Sequence, residues 1–143
     1  MTIDSIINGV VIDHIKSGNA MKIYSLLNLE NTDWQVAIIK NAPSKKLGKK
    51  DIIKIATDEE INLDVLGFID TDITVNVIKD GALFEKKHIE LPEKITDVIK
   101  CKNPRCITTT EQGISHVFEL TDAENRVYRC MYCETKATPK EEI

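Results

Sequence analysis

Four cysteines stand in this chain of 143 residues, as two close pairs, CKNPRC at 101–106 and CMYC at 130–133. No other feature limits the fold so strongly. The segment they enclose offers few large apolar side chains, in SHVFEL at 115–120 and RVYRC at 126–130, joined by the polar turn TDAEN. Two such strands do not hold together in water without a further constraint. Disulfides are one candidate, but the N-terminal MTIDSIING has no basic segment leading into an apolar run. Nor does any stretch approach the roughly 18 consecutive apolar residues of a membrane helix. The expected address is cytoplasmic and away from any membrane, where thiols stay reduced and paired cysteines serve as metal ligands.

The pattern C-x4-C, 23 residues, C-x2-C lets each pair grip one side of an ion. The hairpin between them returns the second pair to the first, giving the tetrahedral four-cysteine arrangement that zinc prefers. With Cys101, Cys106, Cys130 and Cys133 all engaged, no coordination position stays open. The expectation is one structural zinc ion per chain, in a small all-β, zinc-ribbon-like domain over 101–143. Iron suits the same spacing. A redox dithiol at CMYC would sit outside the strand-to-helix setting of such motifs and leave the other pair without a role. His116 is expected beside the hairpin and not as a fifth ligand. Zinc ribbons often bind nucleic acid, so a zinc-ribbon nucleic-acid-binding or transcription-associated protein is the alternative reading. Charge argues against it: residues 101–143 hold six Lys plus Arg against seven Asp plus Glu, and four thiolates on a dication add about −2. Phosphate binding needs the opposite sign. A protein-binding surface is expected here, with no nucleic acid.

The front of the chain alternates in another way. GVVIDHI (9–15) reads as a strand. Ala20, Ile23, Tyr24 and Leu27 follow at helical spacing, which predicts a helix from an N-cap at Asn19 to about Leu29. WQVAIIK (34–40) is a second strand, APSKKLGKK a lysine-rich connection, and DIIKIA (51–56) a third strand. Thr57 and Glu60 stand at capping-box spacing ahead of Ile61, Val65, Leu66 and Phe68, predicting a short helix. Residues 73–91 read as two strands around Asp80-Gly81, a pair suited to a tight hairpin turn. The order β, α, β, β, α, β, β is the split βαβ, ferredoxin-like plan with one added strand: a sheet with two helices on a single face. Leu91-Pro92 closes this domain, residues 93–100 read as a linker, and the fold class is α+β.

No Gly-rich phosphate loop, serine elbow or paired-carboxylate signature occurs in residues 1–100, so the chain is not expected to be an enzyme in its own right. Net charge is −4, yet Lys40 to Lys54 hold six lysines against one acid, Asp51. With Asp13, His14, Lys79, Lys86 and Lys87, this set suits an anionic small ligand bearing hydrogen-bonding groups.

Five segments, in order, resemble one family: VVIDHIK (10–16), LGKKDIIKIA (47–56), TVNVI (74–78), ELPEKITDVIKCKNPRC (90–106) and YRCMYCE (128–134). The family is the regulatory chain of aspartate carbamoyltransferase, the first committed enzyme of pyrimidine synthesis. The resemblance spans nearly the whole chain. It implies a non-catalytic allosteric subunit that binds ATP, CTP or related nucleotides in residues 1–92. It further implies docking on catalytic chains through the zinc domain and a homodimer formed through the first domain. By the matching motifs, Asp13 accepts hydrogen bonds from the nucleotide, Lys54 and Lys86 meet its ribose and phosphates, and His14 lies on the phosphate side. Ile6, Ile52, Asn76, Ile78 and Leu83 line the pocket near base and sugar, with Ile3, Asp4 and Ser5 closing it. The chain is expected to depart from the family's pattern where Ile7 and Asn8 replace basic residues before Gly9, and in lacking an aromatic near Gly81.

Overall fold

The computed structural model describes residues 6–46, 48–61, 63 and 65–139. The chain divides into two compact units, Met1–Glu90 and Leu91–Ile143.

The first unit runs β1 (Gly9–Lys16), α1 (Ala20–Leu26), β2 (Gln35–Ser44), β3 (Gly48–Ala56), α2 (Leu66–Ile69), β4 (Thr74–Lys79) and β5 (Ala82–His88). All pairings are antiparallel, in the order β2-β3-β1-β4-β5. This is the ferredoxin-like plan with β5 added by a hairpin. Strand alternation sorts the side chains: Val10, Ile12, Ile53, Ile55 and Val75 are buried and build the core with Ala20, Ile23, Leu66, Phe68 and Ile69 of the two helices. Each large apolar side chain so buried is worth about 1.5–3 kcal/mol. Two glycines are required by backbone geometry. A Cβ on Gly9 would lie 1.9 Å from the Ile55 carbonyl oxygen, so β1 approaches β3 there only because the side chain is missing. At the β4–β5 turn Asp80 and Gly81 have φ of 53° and 77°, the positive pair that a tight hairpin needs.

Several local expectations fail, each because a tertiary contact wins. Asn19 makes no side-chain cap. The first helical N–H, of Ala20, instead donates to Asp51 Oδ2 from β3 at 3.2 Å. α1 ends at Leu26, three residues earlier than the spacing suggests, and Asn28 turns the chain through φ 57° into a 3-10 turn at Leu29–Asn31. Thr57 and Glu60 do not open a helix, and α2 starts only at Leu66. Thr57 Oγ1 accepts the Glu59 N–H at 3.1 Å, while the Glu59 carboxylate accepts the Trp34 indole N–H at 2.7 Å. The lysine-rich connection is largely strand: β2 runs to Ser44 and β3 begins at Gly48, with a bulge at Asn41, φ 59°.

The second unit holds β6 (Lys94–Thr96), α3 (Ile107–Thr110), β7 (Val117–Asp122), β8 (Val127–Cys130) and β9 (Lys136–Ala137), with the sheet in order β6-β7-β8-β9. The hairpin around TDAEN lies where the sequence puts it. The segment 93–100 contributes β6, which pairs Lys94 to Glu119 and Thr96 to Val117. Ile95, Ile99, Phe118, Val127, Tyr128 and Ala137 make the small core. Tyr128 is wholly buried, and its hydroxyl donates to the Pro92 carbonyl at 2.5 Å. Burial pushes its phenol up to about 12.

Candidate metal centre and ligand-binding face

Two turns supply the four thiols. In the first, the Cys106 N–H donates to the Asn103 carbonyl at 3.1 Å and the Arg105 N–H to Asn103 Oδ1 at 3.0 Å, folding Cys106 back toward Cys101. The second lies at the end of β8, where the Glu134 N–H donates to the Cys130 carbonyl at 2.8 Å and Glu134 adopts φ 64°. The β7–β8 hairpin brings the turns face to face. Cys101 Sγ lies 3.4 Å from Cys133 Sγ, Cys106 Sγ lies 3.7 Å from Cys130 Sγ, and all four sulfurs lie within 4.8 Å of one another. A disulfide needs about 2.05 Å, whereas a zinc ion with Zn–S near 2.3 Å sets a tetrahedral S···S edge of about 3.8 Å. The four cysteines thus fit a structural zinc ion.

The sulfurs sit in unequal electrostatic surroundings. Burial pushes the Cys101 thiol up to about 12, with the Asn103 backbone N–H acting the other way, and burial also raises Cys130. At Cys133 burial again works upward, but hydrogen bonds from the Thr135 side chain and backbone N–H, together with the Asn103 and Cys101 side chains, outweigh it and bring the thiol down to about 6. A dication among the four sulfurs supplies the charge that holds all of them as thiolates. His116 is not part of the cluster. Its Nδ1 accepts the Cys101 N–H at 3.1 Å, and its own N–H donates to Asp97 Oδ1 at 2.9 Å, so it braces the first turn.

In the first unit, strand register decides which residues share a face. Val11 pairs with both Lys54 and Asn76, Asn76 with Lys86, Thr74 with both Asp13 and His88, and Ile78 with Leu83. Ile52 and Lys54 alternate with the buried Ile53 and Ile55 on β3. Asp13, Ile52, Lys54, Asn76, Ile78, Leu83 and Lys86 therefore stand on one face, opposite the helix-covered core. Ile52 and Ile78 are half-buried there and Leu83 is 60% exposed, so none of the three is a core residue. Ile6 is half-buried just ahead of β1. Ile3, Asp4 and Ser5 lie outside the described residues.

A bulge in β1 shapes the middle of this face. His14 takes φ 58°, an uncommon conformation for a residue with a side chain. Its Nδ1 sits 2.9 Å from Thr74 Oγ1 and its N–H donates to Asp13 Oδ1 at 2.6 Å. Lys50 Nζ lies 3.0 Å from Asp13 Oδ1, both side chains being about one-fifth exposed. Burial raises the Asp13 carboxyl, but Lys50 and the His14 N–H together hold it below the ordinary 3.8. Lys50 is the contact that motif matching missed. The available signal was its place four residues before Lys54 on the same strand, which gives both the same face.

Ile7 and Asn8 prove to be structurally linked to the β4–β5 turn. The Ile7 carbonyl accepts the Gly81 N–H at 2.9 Å, and Asn8 Oδ1 accepts the Asp80 N–H at 3.1 Å. An aromatic does stand close to this turn: exposed Phe84 on β5 has Lys79 Nζ 4.1 Å from its ring centroid. A hollow of about 480 Å³ lies nearby, lined by Asp58, Glu59, Glu60 and Glu85 against Lys79 and Lys87. Four carboxylates against two ammonium groups make it a poor host for an anion.

The family described as "Aspartate carbamoyltransferase regulatory chain, allosteric domain" matches residues 1–90, and that described as "Aspartate carbamoyltransferase regulatory chain, metal binding domain" matches 93–143. An aspartate carbamoyltransferase regulatory chain from Clostridium tetani is 56% identical over 135 residues, covering 94% of each chain. One from Clostridium acetobutylicum is 48% identical, covering 94% of this chain and 92% of its own. One from Bifidobacterium longum is 47% identical over 137 residues, covering 96% of this chain and 99% of its own.

Proposed function

The chain belongs to the family of aspartate carbamoyltransferase regulatory chains, and from that premise we propose that its first unit binds ATP, CTP or a related nucleotide on the open face of the sheet. It is a non-catalytic subunit, with an allosteric domain and a metal-binding domain. One observation carries the nucleotide reading: the register gathers Asp13, Ile52, Lys54, Asn76, Ile78, Leu83 and Lys86 on one accessible face. Among the described residues neither Lys54 nor Lys86 has an ion-pair partner, leaving both ammonium groups available for phosphate. His14 and the Asp13–Lys50 pair stand beside the row that joins them and polarise the face. Half-buried Ile52 and Ile78 offer apolar contact to a base or sugar.

Catalytic chains are the partner of the second unit. Exposed Ile107 opens α3 directly after Cys106, and exposed Met131 and Tyr132 lie between Cys130 and Cys133; large apolar side chains exposed on a metal-stapled scaffold suit docking. The acidic balance of this unit leaves the nucleic-acid alternative without support. Dimerisation through the first unit is served by the edges of its sheet, β2 and β5, which no further strand covers among the described residues, so that strand pairing could continue across a twofold axis. A cytoplasmic setting fits four unpaired thiols. Regulation follows if the nucleotide binds two quaternary states unequally, a coupling of typically ~1–3 kcal/mol.

The test is calorimetric titration of ATP and CTP into the wild-type, Lys54→Ala and Lys86→Ala chains. A hydrogen bond to a charged group contributes ~1.5–3 kcal/mol, so each substitution should weaken binding about tenfold or more. Unchanged affinity in both variants would remove the site from this face.

A further inference from the structure

Two threonines follow the cysteines at one spacing, Cys106-Ile-Thr108 and Cys133-Glu-Thr135. Thr108 Oγ1 lies 3.0 Å from Cys106 Sγ, and Thr135 Oγ1 lies 3.1 Å from Cys133 Sγ. We infer that these two hydroxyls donate hydrogen bonds to the metal-bound thiolates, and thereby set how tightly the centre holds its zinc. The inference rests on the zinc assignment and deepens it.

Direction follows from chemistry. A cysteine that ligates a dication has lost its proton, so its sulfur can only accept, and the threonine O–H must be the donor. Placement adds to this. Thr108 is 5% exposed, so its hydroxyl has little access to solvent and points at sulfur. Its neighbour Thr109 uses its hydroxyl differently, sharing its single proton between the carbonyls of Asn103 and Cys106, each 2.7 Å away, an ordinary turn-closing role. The two donors are also divided evenly. Thr108 serves the Cys106–Cys130 sulfur pair and Thr135 the Cys101–Cys133 pair, so one hydroxyl draws charge from each half of a centre whose formal charge is about −2. Second partners of this kind orient a ligand and stabilise its anionic form, and their loss commonly costs about 10–100-fold in metal affinity.

Replacing threonine by valine keeps the shape and removes only the donor, and serine restores it. The experiment uses the full chain as Thr108→Val, Thr135→Val and the corresponding Ser variants. Zn²⁺ affinity is measured against a chromophoric chelator, and the thiolate-to-metal charge-transfer band is recorded after Co²⁺ substitution. The wild-type chain, binding one Co²⁺ with a tetrathiolate spectrum, checks the metal site separately. Each Val variant should lose about tenfold or more in Zn²⁺ affinity. Its Co²⁺ band should move to longer wavelength, because a thiolate without a hydrogen bond gives up its electrons more easily. The Ser variants should regain both properties. Should Thr108→Val fail to fold, half-buried Thr135 carries the test alone, through its affinity and its band. Val variants with wild-type affinity and band position overturn the inference. So does lost affinity with an unmoved band that serine does not repair, which would mark a packing role.

Discussion

Asp51 offers the sharpest quantitative test of how the first unit is held together. Its carboxylate is fully buried, and it accepts three backbone N–H groups: Gly18 at 2.9 Å and Ala20 at 3.2 Å on Oδ2, and Asn41 at 3.0 Å on Oδ1. One side chain thus satisfies the start of α1, the loop before it and the β2 bulge. Asp51→Ala leaves one buried donor, of Ala20, and two part-buried donors, of Gly18 and Asn41, unpaired, at up to about 1–3 kcal/mol each. Allowing for entry of water, a net loss of about 3–5 kcal/mol is expected, a large part of the ~5–15 kcal/mol stability of an ordinary domain. Asp51→Asn should be milder: its amide oxygen can keep Gly18 and Ala20, but its NH₂ then faces the Asn41 N–H, a loss of about 1–3 kcal/mol. Trp34, the chain's single tryptophan, lies in this unit and donates to Glu59, so urea unfolding followed by its fluorescence reports the first unit alone. With a slope near 1–1.5 kcal/mol/M, Asp51→Ala should move the midpoint down by about 2 M or more, with Asp51→Asn in between. An Ala variant within about 0.5 kcal/mol of wild type, the usual range of an inert surface change, would refute the reasoning.

Two more outcomes follow from the same unit. Gly9→Ala forces a Cβ to within 1.9 Å of the Ile55 carbonyl oxygen. It should cost about 2–5 kcal/mol in Trp34-monitored unfolding while the zinc content of the second unit stays unchanged; wild-type stability would contradict the close approach. The Asp13 carboxyl is held below 3.8 in the folded state. Its pairing with Lys50 therefore stabilises fully above the unfolded value and is lost as pH falls through the lowered folded one. The stability gap between wild type and Asp13→Asn should be open at about pH 6 and shrink toward about pH 3, and a gap independent of pH would rule out the ion pair as its source.

Regular alternation was legible in the sequence. Val10 and Ile12, and Ile53 and Ile55, point into the core at the period of two that marks a strand. Asp80-Gly81 announces its turn through a backbone conformation few other pairs adopt. The cysteine spacing specifies its own cluster because a tetrahedral ion leaves little freedom in where four sulfurs lie. What the sequence hid were contacts between residues far apart along it. Asn19 has the chemistry of a cap, but the donor of Ala20 is taken by Asp51, 31 residues away. Thr57 and Glu60 have capping-box spacing, but Glu59 is bound to Trp34, just ahead of the neighbouring strand β2 and distant only along the sequence. The lysine-rich stretch looks like a solvated loop because Lys45, Lys46 and Lys49 face outward, while its backbone is in ladder with a neighbouring strand. β6 and β9, of three and two residues, are too short to show any period. The candidate ligand-binding face was named residue by residue from motifs, but its unity emerges only from strand register, and the Asp13–Lys50 pair only from side-chain geometry.

The central claim is a division of labour, with the second unit docking on catalytic chains through its metal-held fold and the first binding the effector. The direct test treats the assembled complex with a mercurial that takes the thiols, followed by size-exclusion chromatography and nucleotide titration of the released chain. Loss of the metal should unfold the small sheet and free this chain from its partner. Native Trp34 fluorescence and unchanged affinity for ATP and CTP should persist in the first unit. The partner should keep its catalytic activity while losing its response to nucleotides. If nucleotide binding disappears with the metal while Trp34 still reports a native first unit, the effector site is not carried by that unit alone and the account is wrong.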